Sequence, residues 1–224
     1  MLTIKSIRST RGFTFIEILA ALAINLILMA GLITIFLSNI NHYRSTINVN
    51  RLNQQLQTVM LLMSNEIRRS GYWSNAQNDI GSSTNNNPFM AVATDITVTG
   101  GNCILFTYDS NSNGALPAIT AGADDERYGF RLSGQSLQSR TYGAPYDCAT
   151  AAGNWENVTD SNIIQVTALN FTLNSSTIVT GPGNKGIVQR SVDISITGQL
   201  TSDTSITKTL TKHVRILNDR FLNQ

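Results

Sequence analysis

The sequence Arg11-Gly12-Phe13-Thr14-Phe15-Ile16-Glu17 opens an apolar segment that continues to Leu37. From Phe13 to Leu37 the only ionisable residue is Glu17. An α-helix rises ~1.5 Å per residue, so a helix of about 25 residues is long enough to cross a hydrocarbon core of roughly 30 Å. The segment therefore predicts a membrane-spanning helix. A carboxylate inside such a helix is costly, which indicates that Glu17 has a function there.

The residues before this segment predict its orientation. Lys5, Arg8 and Arg11 precede it without any acidic residue. Short basic segments usually remain in the cytoplasm, so we expect most of the chain to lie outside it. A secretory signal would have a shorter apolar stretch, of roughly 7 to 15 residues, with a small-residue cleavage site at its far end, and this segment lacks that pattern.

The motif Gly12-Phe13-Thr14-Phe15-Ile16-Glu17 resembles the class III signal of type IV prepilins, usually written G-F-T-L-I-E. The resemblance implies that a membrane peptidase cuts between Gly12 and Phe13, that Phe13 is N-methylated, and that Glu17 becomes the fifth residue of the mature chain. In a filament, the Glu17 carboxylate would pair with the N-terminal ammonium of a neighbouring subunit, replacing two isolated charges in an apolar medium by one compensated pair. The alternative is a signal anchor that carries one glutamate by chance.

Beyond Leu37, apolar residues recur at three- to five-residue intervals on a polar background, which predicts an amphipathic continuation of the helix. No proline interrupts residues 13–70, and Gly71, which follows two arginines, marks the expected end of the helix. The predicted apolar stripe, facing a small domain, consists of Ile40, Tyr43, Ile47, Leu52, Leu56, Val59, Met63 and Ile67.

After residue 74 the composition changes to Asn, Ser and Asp, and short β-like segments follow. Val192, Ile194 and Ile196 alternate with polar residues, which is typical of a strand with one buried face. We therefore predict an α+β fold in which an antiparallel sheet packs on the distal half of the long helix, and the prepilin resemblance implies the same arrangement, the pilin fold. The predicted strands are 96–99, 103–108, 128–132, 136–141, 163–173, 188–197 and 204–216, with a turn at Gly181-Pro182-Gly183-Asn184.

These patterns and the prepilin resemblance together divide the chain into four regions. They are a prepilin leader at 1–12, a transmembrane and assembly helix at 13–37, its amphipathic continuation at 38–73, and a β-rich periplasmic or extracellular domain at 74–224. That domain contains both cysteines, Cys103 and Cys148. In an oxidising periplasm, an isolated pair predicts a disulfide bond.

The loop Asp109-Ser110-Asn111-Ser112-Asn113-Gly114 matches the first half of a D-x-[DN]-x-[DN]-G calcium loop. Its twelfth position is Thr120 instead of glutamate, so the bidentate ligand would have to come from Asp124, Asp125 or Glu126. The alternative is a polar turn in which Asn113-Gly114 supplies positive φ. The calcium hypothesis has Asp109, Asn111, Asn113 and Asp124 as ligands.

No enzymatic or nucleic-acid function is expected. The sequence contains no G-x-S-x-G, no H-E-x-x-H and no phosphate-binding glycine loop, and Asp124-Asp125-Glu126 is expected to be a solvated acidic loop. Without residues 1–12, the net charge of +2 loses three cations and becomes about −1, so there is no strong sign of nucleic-acid binding. Apart from the calcium hypothesis, no cofactor is expected.

The segment Glu66–Trp73 is similar to the I-R-x-A-G-Y-x-G helix end of PilW-type minor pilins, with Ser70 in place of Ala and Ser74 in place of Gly. The strand Cys103–Asp109 before a polar loop is also similar to that family. The resemblance implies a minor pilin at the tip of a retractable type IV pilus, first in the inner membrane as a single-pass protein and then at the cell surface. The implied partners are the other minor pilins, the major pilin, the prepilin peptidase, the inner-membrane assembly platform and a tip adhesin.

Two other functions stay open. The chain is also similar to a J-type minor pseudopilin of a type II secretion system, which has the same signal, helix and β-rich domain. A membrane-anchored binding protein that never polymerises is the other alternative. The sequence does not indicate whether adhesion, twitching motility or DNA uptake is served.

Overall fold

The computed structural model describes residues 12–79, 85–119, 122–149, 154–179, 181 and 186–222. One long helix, α1, spans Phe15–Arg68. The chain divides into two units between Ile47 and Asn48. Residues 1–11 of the predicted leader lie outside the described residues.

The second unit contains two antiparallel sheets, so the predicted α+β fold is confirmed. The first sheet is a meander in which neighbouring strands follow one another along the chain, and in the second sheet β8 and β9 both pair with β7. The first sheet comprises β1 (Thr97–Thr99), β2 (Cys103–Thr107), β3 (Arg127–Ser133), β4 (Ser136–Arg140) and β5 (Trp155–Asn157). The second comprises β6 (Ile164–Val179), β7 (Gly186–Leu200), β8 (Thr207–Arg215) and β9 (Arg220–Leu222).

The strands differ from the sequence-based prediction in three respects. The strands form two sheets, where one was expected. The strands β5 and β9 were not predicted, whereas β1, which is equally short, was. The strand β6 continues past residue 173 to Val179, where its residues are mostly exposed and do not alternate. Residues 182–185, which include most of the predicted turn between β6 and β7, lie outside the described residues.

The hydrophobic core is shared by α1 and both sheets. The buried part of the helical stripe begins at Leu52, and the predicted members Tyr43 and Ile47 are exposed by 72% and 63%. Helical periodicity predicts an apolar stripe but not how much of it is covered, which explains the difference. The buried hydrophobic residues of α1 are Leu52, Leu56, Val59, Met60, Met63 and Ile67.

The central strand of the second sheet shows why the helix lies close to it. On β7, Val192, Ile194 and Ile196 are buried and Asp193 is exposed, so the predicted alternation is confirmed. Gly198 continues the buried face, and a Cβ atom there would lie 3.0 Å from Cδ2 of Leu56. Because Gly198 has no side chain, Leu56 of α1 can pack closely against the sheet.

Candidate functional site

The first turn of α1 is closed by a reciprocal pair of hydrogen bonds between Thr14 and Glu17. The Thr14 amide donates to Oε2 of Glu17 at 2.8 Å, and the Glu17 amide donates to Oγ1 of Thr14 at 3.4 Å. The Thr14 hydroxyl also donates to Oε2 of Glu17, at 2.9 Å. This is the capping box, in which two residues three positions apart satisfy each other's free amides. The spacing Thr-x-x-Glu is visible in the sequence, but we did not predict this role from it.

Gly12 and Phe13 lie before the helix and have no regular secondary structure. Both are exposed, and a Cβ atom built on Gly12 would meet no other atom within 4 Å. In the structure, the Gly12–Phe13 peptide bond is therefore exposed, and the helix begins two residues after it.

The N-terminal part of α1 exposes a continuous apolar surface. Among the described residues, α1 is the one helix that is long and apolar enough to cross a membrane. Its large apolar side chains from Phe15 to Leu37 are exposed throughout. Such a surface indicates a lipid or protein environment, which fits a membrane anchor.

The end of α1 is joined to the β-rich unit by hydrogen bonds to backbone carbonyls. The helix ends at Arg68, and Gly71 has a positive φ of 74°, as expected for a residue that stops a helix. The amide of Gly71 donates to the carbonyl of Thr107 at 2.8 Å, and the indole of Trp73 donates to the carbonyl of Gly114 at 2.8 Å. The segment after the helix therefore docks on the end of β2.

Tyr108 joins this helix end to the first sheet. Its hydroxyl donates to Oε2 of Glu66 at 2.5 Å, and the guanidinium of Arg69 lies 4.1 Å from the centre of its ring. The ring stacks on Tyr128 of β3 with 4.2 Å between centroids. Burial of the hydroxyl and the bond to Glu66 raise the pKa of Tyr108 far above its ordinary value, so the phenol stays protonated.

The two cysteines form the predicted disulfide bond, with 6.1 Å between the Cα atoms of Cys103 and Cys148. Cys103 and Leu105 of β2 belong to a second apolar cluster with Trp155, separate from the main core. Since alternate residues of a strand point to opposite faces, this cluster lies on the face of β2 opposite the core. The disulfide therefore holds the loop around Cys148 against the outer face of the first sheet.

Replacing both cysteines by serine is expected to lower the free energy of unfolding by about 2–4 kcal/mol, because the unfolded chain regains the entropy of a loop closed across 45 residues. The measurement is denaturant unfolding of the full chain in detergent, followed by hydrogen exchange of residues 141–149. Reduced wild-type protein is the matched control and should show the same loss. Equal stability of the oxidised and reduced proteins would contradict the prediction.

Asp109 anchors the loop that follows β2. Its Oδ2 atom accepts hydrogen bonds from the amides of Ser74 and Gly114, at 2.9 and 3.0 Å. Burial alone would raise the pKa of Asp109, but the hydrogen bonds from Ser74, Gly114 and Asn113 outweigh it and hold that pKa below its usual value. The carboxylate is therefore ionised at neutral pH.

The rest of this loop is built from short local hydrogen bonds. The side-chain oxygen of Asn111 accepts from the amide of Asn113 at 2.9 Å, and that of Asn113 accepts from the amide of Ala115 at 2.8 Å. Positive φ values occur at Gly114, as predicted, and at Ser112 instead of Asn113. The chain therefore forms the polar turn with three of the predicted calcium ligands, Asp109, Asn111 and Asn113, in it.

The prediction of a solvated loop at Asp124-Asp125-Glu126 is wrong for two of its three residues. Asp124 is exposed, whereas Asp125 and Glu126 are buried. Asp125 forms ion pairs with Arg127 at 2.7 Å and with Arg140 at 3.1 Å. Arg140 lies on β4, far from Asp125 along the chain, so the acidic sequence alone could not reveal that Asp125 is paired inside the protein.

The family model of prepilin peptidase-dependent protein B (PpdB) matches residues 45–216 of this chain. This match covers about three quarters of the sequence. The chain belongs to the PpdB family. No curated protein and no solved structure gives a significant match.

The part of the chain that matches PpdB begins inside α1 and ends at Ile216, one residue after β8. It contains the first sheet, β6 to β8 of the second sheet, the disulfide and the loop at Asp109, whereas β9 lies after it. The motif Gly12–Glu17 lies outside it. The PpdB match and the N-terminal motif are therefore independent observations, and both indicate a protein of the pilin-related class that depends on a prepilin peptidase.

Proposed function

We propose that this chain is a minor pilin that is incorporated at or near the tip of a type IV pilus and primes its assembly. The observation that carries the proposal is the motif Gly12–Glu17 at the start of an exposed apolar helix, in a chain of the PpdB family. The exposed Gly12–Phe13 bond supports cleavage there, which would remove residues 1–12. The role is assembly and not catalysis.

The proposed sequence of events uses each end of α1. Before assembly, residues 13–37 anchor the subunit in the inner membrane, and the β-rich domain lies on the periplasmic side. After cleavage, the new amino group of Phe13 is methylated and remains cationic. It pairs with Glu17 of a neighbouring subunit, because an isolated carboxylate in an apolar environment is unfavourable. The assembly platform, the major pilin and the other minor pilins are the proposed partners, with a tip adhesin displayed by the complex.

Mass spectrometry of the N-terminal peptide tests this proposal, in sheared surface filaments and in membranes of the native host. We expect N-methylated Phe13 in the filament fraction. A processed peptide confined to membranes would favour a pseudopilin of a type II secretion system instead. An uncut leader in both fractions would overturn the pilin proposal.

The variant Gly12→Leu is the matched control for processing. The variant is expected to retain the leader in membranes and to be missing from filaments. The leucine side chain would prevent the peptidase from binding the extended backbone at the cleavage site. Normal processing of this variant would show that cleavage does not depend on Gly12.

A further inference from the structure

Two buried carboxylates at the end of β2 each have one oxygen atom without a partner. Asp109 is 0% exposed and Glu126 is 1% exposed. The atoms Oδ1 of Asp109 and Oε2 of Glu126 are buried and accept no hydrogen bond. Within the described residues, neither side chain takes part in an ion pair. Buried charges in proteins are normally paired or bound to a metal, so these two atoms are candidate metal ligands.

The second oxygen of Glu126 places its carboxylate at the loop that contains Asp109. Oε1 of Glu126 accepts from the amide of Ser110 at 2.6 Å, from that of Asn111 at 3.2 Å, and from the Ser110 hydroxyl at 3.1 Å. Ser110 is the residue directly after Asp109. Both carboxylates are thus held at one loop by amide donors on one oxygen, which leaves the other oxygen for a ligand.

We propose that the loop Asp109–Gly114 binds a calcium ion, with Oδ1 of Asp109 and Oε2 of Glu126 as its anionic ligands. Calcium takes six to eight oxygen ligands from carboxylates, amide side chains, backbone carbonyls and water. The loop offers oxygen donors only, which favours a hard cation over zinc or copper. The side-chain oxygens of Asn111 and Asn113 each accept one hydrogen bond and keep a second lone pair for the ion.

This ligand set revises the one expected from the sequence. Asp109, Asn111 and Asn113 remain, but Glu126 replaces Asp124. Asp124 is exposed, whereas Glu126 is buried and bonded to the loop. The positive φ of 76° at Gly114 provides the sharp turn at the sixth position that calcium loops of this type require.

The proposed ion would also stiffen the attachment of the helix end. The carboxylate of Asp109 accepts from the amide of Ser74, and the carbonyl of Gly114 accepts from the indole of Trp73. Ser74 and Trp73 lie in the segment that follows α1. Calcium binding should therefore stabilise this segment, whether or not the chain is assembled into a pilus.

Titration of the full chain in detergent, after removal of divalent ions, tests the proposal. We expect one equivalent of calcium to bind and to raise the melting temperature, and an equal concentration of magnesium to have a smaller effect because its octahedral shell is more demanding. Trp73 provides a second readout, since its indole contacts the loop. Terbium in the calcium site should show emission sensitised by tryptophan, and calcium should displace it.

Three variants locate the site. Asp109→Asn and Glu126→Gln are each expected to reduce calcium affinity about tenfold or more, because each removes one ligand charge. Asp124→Asn is the matched control and should bind calcium like the wild type. Absence of calcium and terbium binding to the wild-type protein would overturn the proposal, as would unchanged binding by both Asp109→Asn and Glu126→Gln. If a variant does not fold, the wild-type titration still decides the question.

Discussion

Glu17→Ala is expected to abolish incorporation of the subunit into filaments while leaving its level in the membrane unchanged. Under the proposed function, the substitution removes the carboxylate that pairs with the N-terminal ammonium of the next subunit. That ammonium would then be left without a partner in an apolar environment, where the loss of one member of a buried pair costs roughly 3–5 kcal/mol. The measurement is an immunoblot of sheared filaments against membranes.

The capping box offers a way to separate the charge of Glu17 from its local role. Glu17→Gln keeps a side chain that can still cap the first turn but removes the charge. Thr14→Ala removes the capping hydroxyl, at a cost of about 1 kcal/mol, and keeps the charge. We expect Glu17→Gln to fail like Glu17→Ala and Thr14→Ala to assemble. If Glu17→Gln assembled and Thr14→Ala did not, the role of Glu17 would be helix capping.

Asp125→Ala is expected to lower the free energy of unfolding by about 3–5 kcal/mol, the loss typical of a broken buried ion pair. The side chains of Asp125 and Arg140 are both fully buried. Oδ2 of Asp125 accepts hydrogen bonds from both terminal nitrogens of the Arg140 guanidinium, each at 3.1 Å, and from the amide of Gly143 at 3.2 Å. Its removal leaves a buried cation without its counter-ion. Denaturant unfolding in detergent, monitored by tryptophan fluorescence, measures the loss.

Two comparisons test whether the buried charge is the cause. The double variant Asp125→Ala with Arg140→Met should lose less stability than the sum of the single variants, because it leaves no unpaired charge. Asp193→Ala is the exposed control, since Asp193 and His213 pair at 2.6 Å with both side chains more than half exposed. Its effect should be close to zero. If Asp125→Ala and Asp193→Ala lowered the free energy of unfolding equally, burial of the ion pair would not be the cause of the effect.

The features that the sequence predicted well are those with a local pattern. The apolar run from Phe13 to Leu37 has the length of a membrane-spanning helix and the alternation at Val192–Ile196 has the period of a strand, and the structure has a helix and a strand there. The two cysteines could be paired because the sequence contains no others. For the helix and the strand, neighbouring residues along the chain held the information, whereas the cysteines are 45 residues apart and were paired from their number alone.

The features that the sequence did not predict depend on residues far apart in the chain. Asp125 and Glu126 look solvated in isolation, but one pairs with Arg140 and the other with the amides of Ser110 and Asn111. The second sheet depends on which strands pair, and short strands give no period. The strand Cys103–Thr107 did contain a signal, because its first four residues are apolar and a strand without alternation is covered on both faces.

The cluster of Cys103, Leu105 and Trp155 on the outer face of β2 separates two parts of the protein that selection can change independently. The main core and the helix lie on one side of the strand, and the strapped loop lies on the other. Substitutions at exposed loop positions such as Tyr142 need not disturb the packing of α1. The exposed residues of this loop can therefore change while the core residues that pack against α1 stay the same.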